Sequence, residues 1–493
     1  MKSAERITQL FLLFLFIGYS FFFKLGEPAY RIWDEARLVT NAYEMSTAGN
    51  YVVTTVGNNP DMWNTKPPMM IWCQVLCIDF LGLSEFSVRL PAALSAAFTV
   101  ILVFAFVLYV TKNGWAALVA GIALCTARGL LGKHAVRYGE YDAMLMFFST
   151  CYLLCFFLYT EHNSESRKNK YLLFFFLSLS LAALTKGVAA MLFAPPLLLF
   201  LIIRKQFIAT LCNKYFYLGA IGFLAIVLGY YFLREHYNPG YLKAVYENEL
   251  GGRLFTALEH HGGPPDYYWL GLKFERFGSW FWLIPTGLLL LFFQPAQHIK
   301  RVLWFAFICA TLFIAILSSA QTKLYWYDLP VYPLLAIIIG ITVLRLGGII
   351  SGMLGGINKN IGLLLVAAVA CAQPIYEACG DLSLAADDLN TDSFYDISYY
   401  LRNPKFRHAD INNTTYICKD YDLQWMIYIN QLKDDGFSIK REYFNSDLSF
   451  LPGQRVLVHQ YDTRNLVESF YNFKVVDKFY GVRLYEITGK KNQ

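Results

Sequence analysis

Eleven uncharged apolar stretches, at 7–23, 90–110, 114–127, 143–160, 171–185, 188–203, 215–233, 277–297, 302–322, 329–344 and 360–376, leave this chain few ways to fold. In hydrocarbon no water is present to satisfy backbone N–H and C=O groups, so such stretches must be helices, either spanning a bilayer or enclosed in a bundle. Several are shorter than the ~20 residues of a straight span, so flanking residues complete them or neighbouring helices cover them. Only 16% of residues are charged and 56% are hydrophobic, whereas soluble domains carry about 25% charged residues. The expected class is mainly α: a polytopic transmembrane helical bundle of about 11–13 spans, followed by a C-terminal soluble α/β domain.

Charge orients the bundle. Lys2 and Arg6 precede the first run, which has no small-residue cleavage site and reads as an uncleaved helix with a cytoplasmic N-terminus. With that start, one side receives thirteen basic residues (Lys2, Arg6, Lys112, Arg167, Lys168, Lys170, Arg204, Lys205, Lys214, Lys300, Arg301, Arg345 and Lys359) and three acids, Glu5, Glu161 and Glu165. Such an excess marks the cytoplasmic side. The polar stretches 30–68, 128–142, 234–276 and 323–328, with Lys186, then fall on the outer side. The net charge of +6 is spread through short loops and argues for topology, with no nucleic-acid partner. Two stretches are less plain: 67–84, apolar but containing Asp79, reads as a helix lying at the interface, and the Gly-rich 346–358 as a bend or partial hairpin. Cys73/Cys77 and Cys151/Cys155 have i, i+4 spacing inside apolar runs and read as small buried hydrophobes, not a zinc or disulfide set.

Composition changes near residue 380. The expected domains are 1–379, a membrane domain with outer loops at 24–89 and 234–276, and 380–493, an α/β domain on the outer side. In the latter, strand-like runs occur at 415–418, 455–459 and 482–487 around a helical 423–432.

The chemistry concentrates in 30–68. Asp34 and Glu35 open an amphipathic helical pattern continued by Leu38, Ala42 and Met45, where a carboxylate can cap the helix or serve as a reacting group. Lys66 precedes two prolines at an apolar boundary, where a lysine either snorkels or holds an anion. Asp142, with Arg137, enters an apolar run, which is costly unless the acid is paired or used. Lys186, Lys323 and Tyr327 stand at other outer ends, and the loop 234–276 carries Glu247, Glu249 and the neighbours His260 and His261.

The ordered series WDEARLVTNAYEM, TKPPMMIW, EFSVRLPAALSA, ALTKG and QTKLYWYDLPVYP, running from about Tyr30 to Pro333, resembles the GT-C membrane glycosyltransferases, in particular the aminoarabinose lipid A transferase and dolichyl-phosphate-mannose protein mannosyltransferase group. The resemblance implies inverting transfer of a sugar from a polyprenyl-phosphate donor to an extracytoplasmic acceptor: lipid A or lipopolysaccharide, another surface glycan, or a protein hydroxyl. It implies catalytic roles for Asp34, supported by Glu35, and for Asp142. Donor-phosphate contacts follow for Arg37, Lys66, Arg137, Lys186, Lys323 and Tyr327, and acceptor contacts for His260 and His261. Relatives commonly place an acid before the Lys-Pro-Pro lysine; Thr65 stands there in this chain, which weakens the case for a divalent metal and assigns no metal ligands. The expected location is the bacterial inner membrane with a periplasmic active site. A lipid or glycan transporter and a non-catalytic assembly subunit are the other classes. A transporter would be expected to carry midplane polar groups and internal repeats, and the series of intact charged motifs argues against a subunit that has lost catalysis.

Overall fold

The computed structural model describes residues 2–251, 261–355, 358–385, 393–419, 421–445 and 448–491. The chain forms two compact units. The first comprises Met1–Leu25, Ala42–Leu83 and Ser87–Leu382, and the second Gly26–Asn41, Ser84–Phe86 and Ser383–Gln493. The loop 24–89 is therefore divided between them.

Each of the eleven apolar runs is helical in the first unit. Among the described residues, eight helices are long and apolar enough to cross a membrane: Ala4–Phe22, Glu85–Thr111, Asp142–Glu161, Glu165–Met191, Lys214–Tyr237, Gln297–Ser319, Tyr325–Met353 and Asn360–Ser383. Four shorter apolar helices, Met69–Leu81, Gly114–Cys125, Ala194–Ile203 and Gly278–Phe292, accompany them. The chain is an integral membrane protein. The run at 188–203 is split for a local reason: Gly187, at φ +56°, ends the helix Glu165–Lys186, and Pro195 and Pro196 start the next one. Met69–Leu81 is the stretch expected at the interface, and its 13 residues reach only about 20 Å, short of a ~30 Å hydrocarbon core.

The first part of the Gly-rich stretch is helical rather than bent. The helix Tyr332–Met353 runs into it and ends there, with Leu354 and Gly355 in a turn and the next helix starting at Lys359, and the glycines of the helix serve close packing: a Cβ at Gly347 would stand 2.4 Å from the Leu363 Cα, and one at Gly340 2.7 Å from the Ala116 carbonyl oxygen. Helices in lipid associate through such small-residue contacts because apolar side chains gain little by leaving hydrocarbon.

A short hairpin of β1 (Thr55–Val56) and β2 (Asn59–Pro60) follows the helix Asp34–Ala48. Its turn residues Gly57 and Asn58 both have φ near +62°, and their N–H groups donate to Glu44 at 2.7 and 3.1 Å. A turn with two positive φ values matches the twist of the strands it joins.

The second unit contains a mixed five-stranded sheet in the order β4-β3-β5-β7-β6, with β3 at Thr414–Cys418, β4 at Ile439–Tyr443, β5 at Arg455–Val458, β6 at Tyr471–Phe479 and β7 at Val482–Lys490. β3 is parallel to β4 and β5, while β7 is antiparallel to β5 and β6. Helix Leu423–Asp434 makes the crossover from β3 to β4, and Tyr461–Phe470 leads into β6. Ile417, Val456, Val458, Val467, Tyr485 and Ile487 form one core layer. The three strands and the helix expected from sequence are present. β4 and β6 escaped notice because they are the two edges, where IKREY and YNFKVVDKF interleave charge with apolar residues.

Candidate functional site

Four separated sequence motifs meet in the first unit. Lys66 lies with its ammonium 5.6 Å from the centre of the Tyr141 ring and 3.4 Å from Glu249. The Thr65 hydroxyl donates to the same carboxylate at 3.2 Å. Next to Tyr141, Asp142 accepts from Lys186 at 2.5 Å, and both side chains are buried. The Lys186 ammonium also stands 4.8 Å from the Tyr327 ring centre. The positive φ of Gly187 belongs to the same place, since a Cβ there would be 3.0 Å from the Tyr231 hydroxyl and 3.9 Å from Pro67. Lys66, Tyr141, Asp142, Lys186 and Tyr327 thus form one linked group.

The loop that carries Lys66 is braced before it reaches the lysine. Asp61 accepts from the N–H groups of Trp63 and Asn64 at 3.0 and 3.1 Å, an Asx turn that fixes the chain direction. Tyr141 donates to Asn64 at 2.9 Å, and Tyr241 donates to the Thr65 carbonyl at 2.8 Å. Burial beside Tyr230 raises the Tyr241 phenol above its ordinary range, so it stays a donor. Behind this lies Arg234, fully buried, whose guanidinium donates to Thr54 at 2.8 Å and to the Asp61 carbonyl at 3.0 Å and lies 4.2 Å from the Tyr241 ring centre. Such bracing holds the lysine before any ligand arrives.

Two residues have partners other than those the sequence suggested. Asp142 pairs with Lys186 rather than with Arg137; the Arg137 guanidinium donates to the carbonyls of Ser20 and Lys24 at 3.3 and 3.4 Å. Asp328, whose place just before the apolar run 329–344 suggests a cap for the following helix, is fully buried against Arg276 at 2.9 Å. Lys323 donates from its ammonium to the Ala320 carbonyl at 2.6 Å and from its backbone to the His261 carbonyl at 2.7 Å. His260 lies outside the described residues. In the 128–142 loop, His134 and Glu140 are 2.8 Å apart, and the imidazole stacks on Trp326 at 3.8 Å.

Asp34, Glu35 and Arg37 belong to the second unit. Asp34 is the first residue of its helix and is exposed, whereas Glu35 is buried and accepts the Arg31 N–H at 2.7 Å. Glu35 is thus a helix-start carboxylate that turns back onto the backbone. Trp33, immediately before, has φ +72°.

Sequence reasoning gave no role to Glu249, Tyr141 or Arg234. Glu249 left one signal, an acid in a long aromatic-rich loop, but its contact with Thr65 and Lys66 spans more than 180 residues. Chemically, the group offers two fixed ammonium ions, each balanced by a carboxylate, between aromatic rings at the ends of apolar helices. That is a setting for an anion attached to a lipid.

The family model of dolichyl-phosphate-mannose-protein mannosyltransferases matches residues 65–231, the region holding Lys66, Asp142 and Lys186. An uncharacterised protein of Aquifex aeolicus is 27% identical over 325 residues, 64% of this chain and 60% of that protein. The undecaprenyl phosphate-alpha-4-amino-4-deoxy-L-arabinose arabinosyl transferase of Shewanella sediminis is 25% identical over 351 residues, 69% of this chain and 59% of that protein. The chain thus spans about three fifths of the length of these curated relatives. The crystal structure of ArnT from Cupriavidus metallidurans bound to undecaprenyl phosphate superposes with a TM-score of 0.74 and 16% identity, covering 98% of each chain. In sequence and in fold, this chain resembles the GT-C glycosyltransferases of the ArnT and protein-mannosyltransferase kind.

Proposed function

We propose that the protein is an inverting glycosyltransferase that takes a sugar from a polyprenyl-phosphate donor and places it on an acceptor outside the cytoplasm. The observation that carries this reading is the meeting of Lys66, Tyr141, Asp142, Lys186 and Tyr327, drawn from four motifs, in one group of the first unit. In the reaction, the bond between the anomeric carbon and a phosphate oxygen breaks and a bond to an acceptor oxygen forms. The leaving lipid phosphate gains negative charge, and fixed cations favour that change. Lys66 and Lys186 supply them, with Lys323, Arg137 and Arg37 as further phosphate contacts and Tyr327 as a neighbour of the phosphate. Asp34 orients the acceptor and takes its proton, with Glu35 holding the start of its helix; Asp142 sets the position of Lys186.

The arabinosyl transferase relative and the undecaprenyl-phosphate-bound ArnT structure support a polyprenyl phosphate as the lipid half of the donor. The acceptor is lipid A or lipopolysaccharide, another surface glycan or a protein hydroxyl, and His261 is a candidate contact for it. The positive-inside asymmetry supports a cytoplasmic N-terminus, an active side in the periplasm of a bacterial inner membrane, and an extracytoplasmic α/β domain at 380–493.

Mass spectrometry of lipids, surface glycans and proteins from cells with and without the chain tests transfer and identifies the acceptor. A sugar increment should appear with the wild type and vanish with Asp34→Asn. Lys66→Ala and Lys323→Ala should weaken binding of undecaprenyl phosphate while Asp34→Asn retains it. Unchanged affinity in both lysine variants would refute this division of roles.

A further inference from the structure

The segment in front of Asp34 is held by side chains from the far end of the sequence. Tyr30 donates its N–H to the Tyr428 hydroxyl at 3.0 Å, Ile32 donates to Tyr395 at 3.5 Å, and the Tyr421 hydroxyl donates to the Trp33 carbonyl at 3.0 Å. The Trp33 indole packs on the Tyr421 ring at 4.6 Å, and the Arg31 guanidinium lies 4.9 Å from the Tyr395 ring centre. A second tier holds the first: Tyr428 donates to Glu85 at 2.6 Å, Glu85 pairs with Arg402 at 2.7 Å, and Arg402 donates to the Glu27 carbonyl at 2.9 Å. All these residues belong to the second unit.

What they hold is a backbone that would not keep its shape alone. Trp33 sits at φ +72°, in the left-handed region that bulky residues avoid and keep only where their surroundings over-determine it. The helix carrying Asp34 begins at the next residue, so the Trp33 torsion sets the direction in which Asp34 leaves the chain. Apolar packing alone would be enough to attach a domain. Hydroxyl groups directed at the backbone of residues 30, 32 and 33 do something narrower.

We infer that the C-terminal α/β unit positions the Asp34 carboxylate, with Tyr421, on the strained Trp33 backbone, and Tyr428, on that of Tyr30, as positioning residues. The inference rests on the role proposed above for Asp34. It assigns the unit a part in turnover, separate from binding of the donor lipid.

The full-length protein in detergent is compared as wild type, Tyr421→Phe, Tyr428→Phe and Tyr421→Ala. Amide hydrogen exchange of the peptide covering 26–41 should rise about two- to tenfold for each hydroxyl removed, with exchange of the helix Asp142–Glu161 unchanged. Affinity for undecaprenyl phosphate, used alone as the probe, should stay within about twofold, while the sugar increment in cells falls at least about tenfold in Tyr421→Ala and less in Tyr421→Phe. Faster exchange with a full increment would overturn the positioning role by itself. So would loss of the increment together with lipid binding and helix protection, the mark of a merely structural part. A full increment in Asp34→Asn would instead remove the carboxylate role, and this inference with it, whatever the exchange data show.

Discussion

The Asp142–Lys186 pair gives the sharpest energetic test of the site. The two side chains are 4% and 8% exposed and 2.5 Å apart. At an effective dielectric of about 20, unit charges at that distance attract by about 7 kcal/mol, most of it offset by the cost of withdrawing both from water. Removing one partner leaves that cost with little return, so Asp142→Asn and Lys186→Met should each destabilise the protein by about 3–5 kcal/mol. The double variant removes both charges and should lie within about 2 kcal/mol of the wild type. The coupling energy then amounts to several kcal/mol, far above the ~0.5 kcal/mol scatter of independent sites. The assay is reversible denaturation of the four proteins in one detergent at neutral pH. A functional consequence comes with it. In Asp142→Asn the Lys186 ammonium has lost its carboxylate, so added undecaprenyl phosphate should raise the melting temperature of this variant more than that of the wild type. Costs that simply add in the double variant would refute the coupling; a lipid response equal to that of the wild type would refute Lys186 as a phosphate contact, and a smaller one would show that Asp142 must hold Lys186 in place for the ligand.

Two further outcomes can be checked on the same material. His459 is buried, and burial, with a smaller contribution from Arg464, pushes it down to about 3. The unfolded chain takes up a proton below about pH 6.5 and the folded one does not, so this stabilisation is complete above that value and is lost as pH falls towards 3. At about pH 5 the loss is about 2 kcal/mol, which should appear in denaturation of the wild type and be absent from His459→Gln. Glu249 faces Lys66 at 3.4 Å with both side chains partly open to solvent, so Glu249→Gln should change stability by less than about 1 kcal/mol. The same variant should bind undecaprenyl phosphate more tightly, because the Lys66 ammonium is no longer shared; weaker binding would show that Glu249 holds Lys66 in place for the ligand.

Much of this molecule was legible along the chain, and the reason is the solvent. A bilayer acts on every residue alike, so eleven uncharged runs were enough to call eleven helices, and the edges of the charged loops marked their ends. The amphipathic helix beginning at Asp34 and the central strands of the C-terminal sheet were readable for a similar cause, since burial on one face or two leaves a period in the sequence. The edge strands β4 and β6 were not, because half of their surface stays in water and their period is blurred by charge. In the Gly-rich 346–358 glycine marks both the end of a helix and a close helix crossing, and only the neighbour at Leu363 shows which role Gly347 has.

The motifs themselves, Lys66 before its prolines, Asp142 at the start of an apolar run, Lys186 and Tyr327, were visible as polar groups where polarity is costly. Their partners were not. Asp142 could be matched by distance in sequence to Arg137, yet Lys186, 44 residues away, takes the place, because the helices Asp142–Glu161 and Glu165–Lys186 run side by side and bring the start of the first and the end of the second together. The same holds for Glu249 at Thr65 and for Tyr421 and Tyr428 on the backbone before Asp34. The sequence by itself determined which segments form apolar helices and which polar residues stand at their ends. Helix rotation, crossing and loop closure, which leave no periodic trace along a chain, decided which of those residues touch.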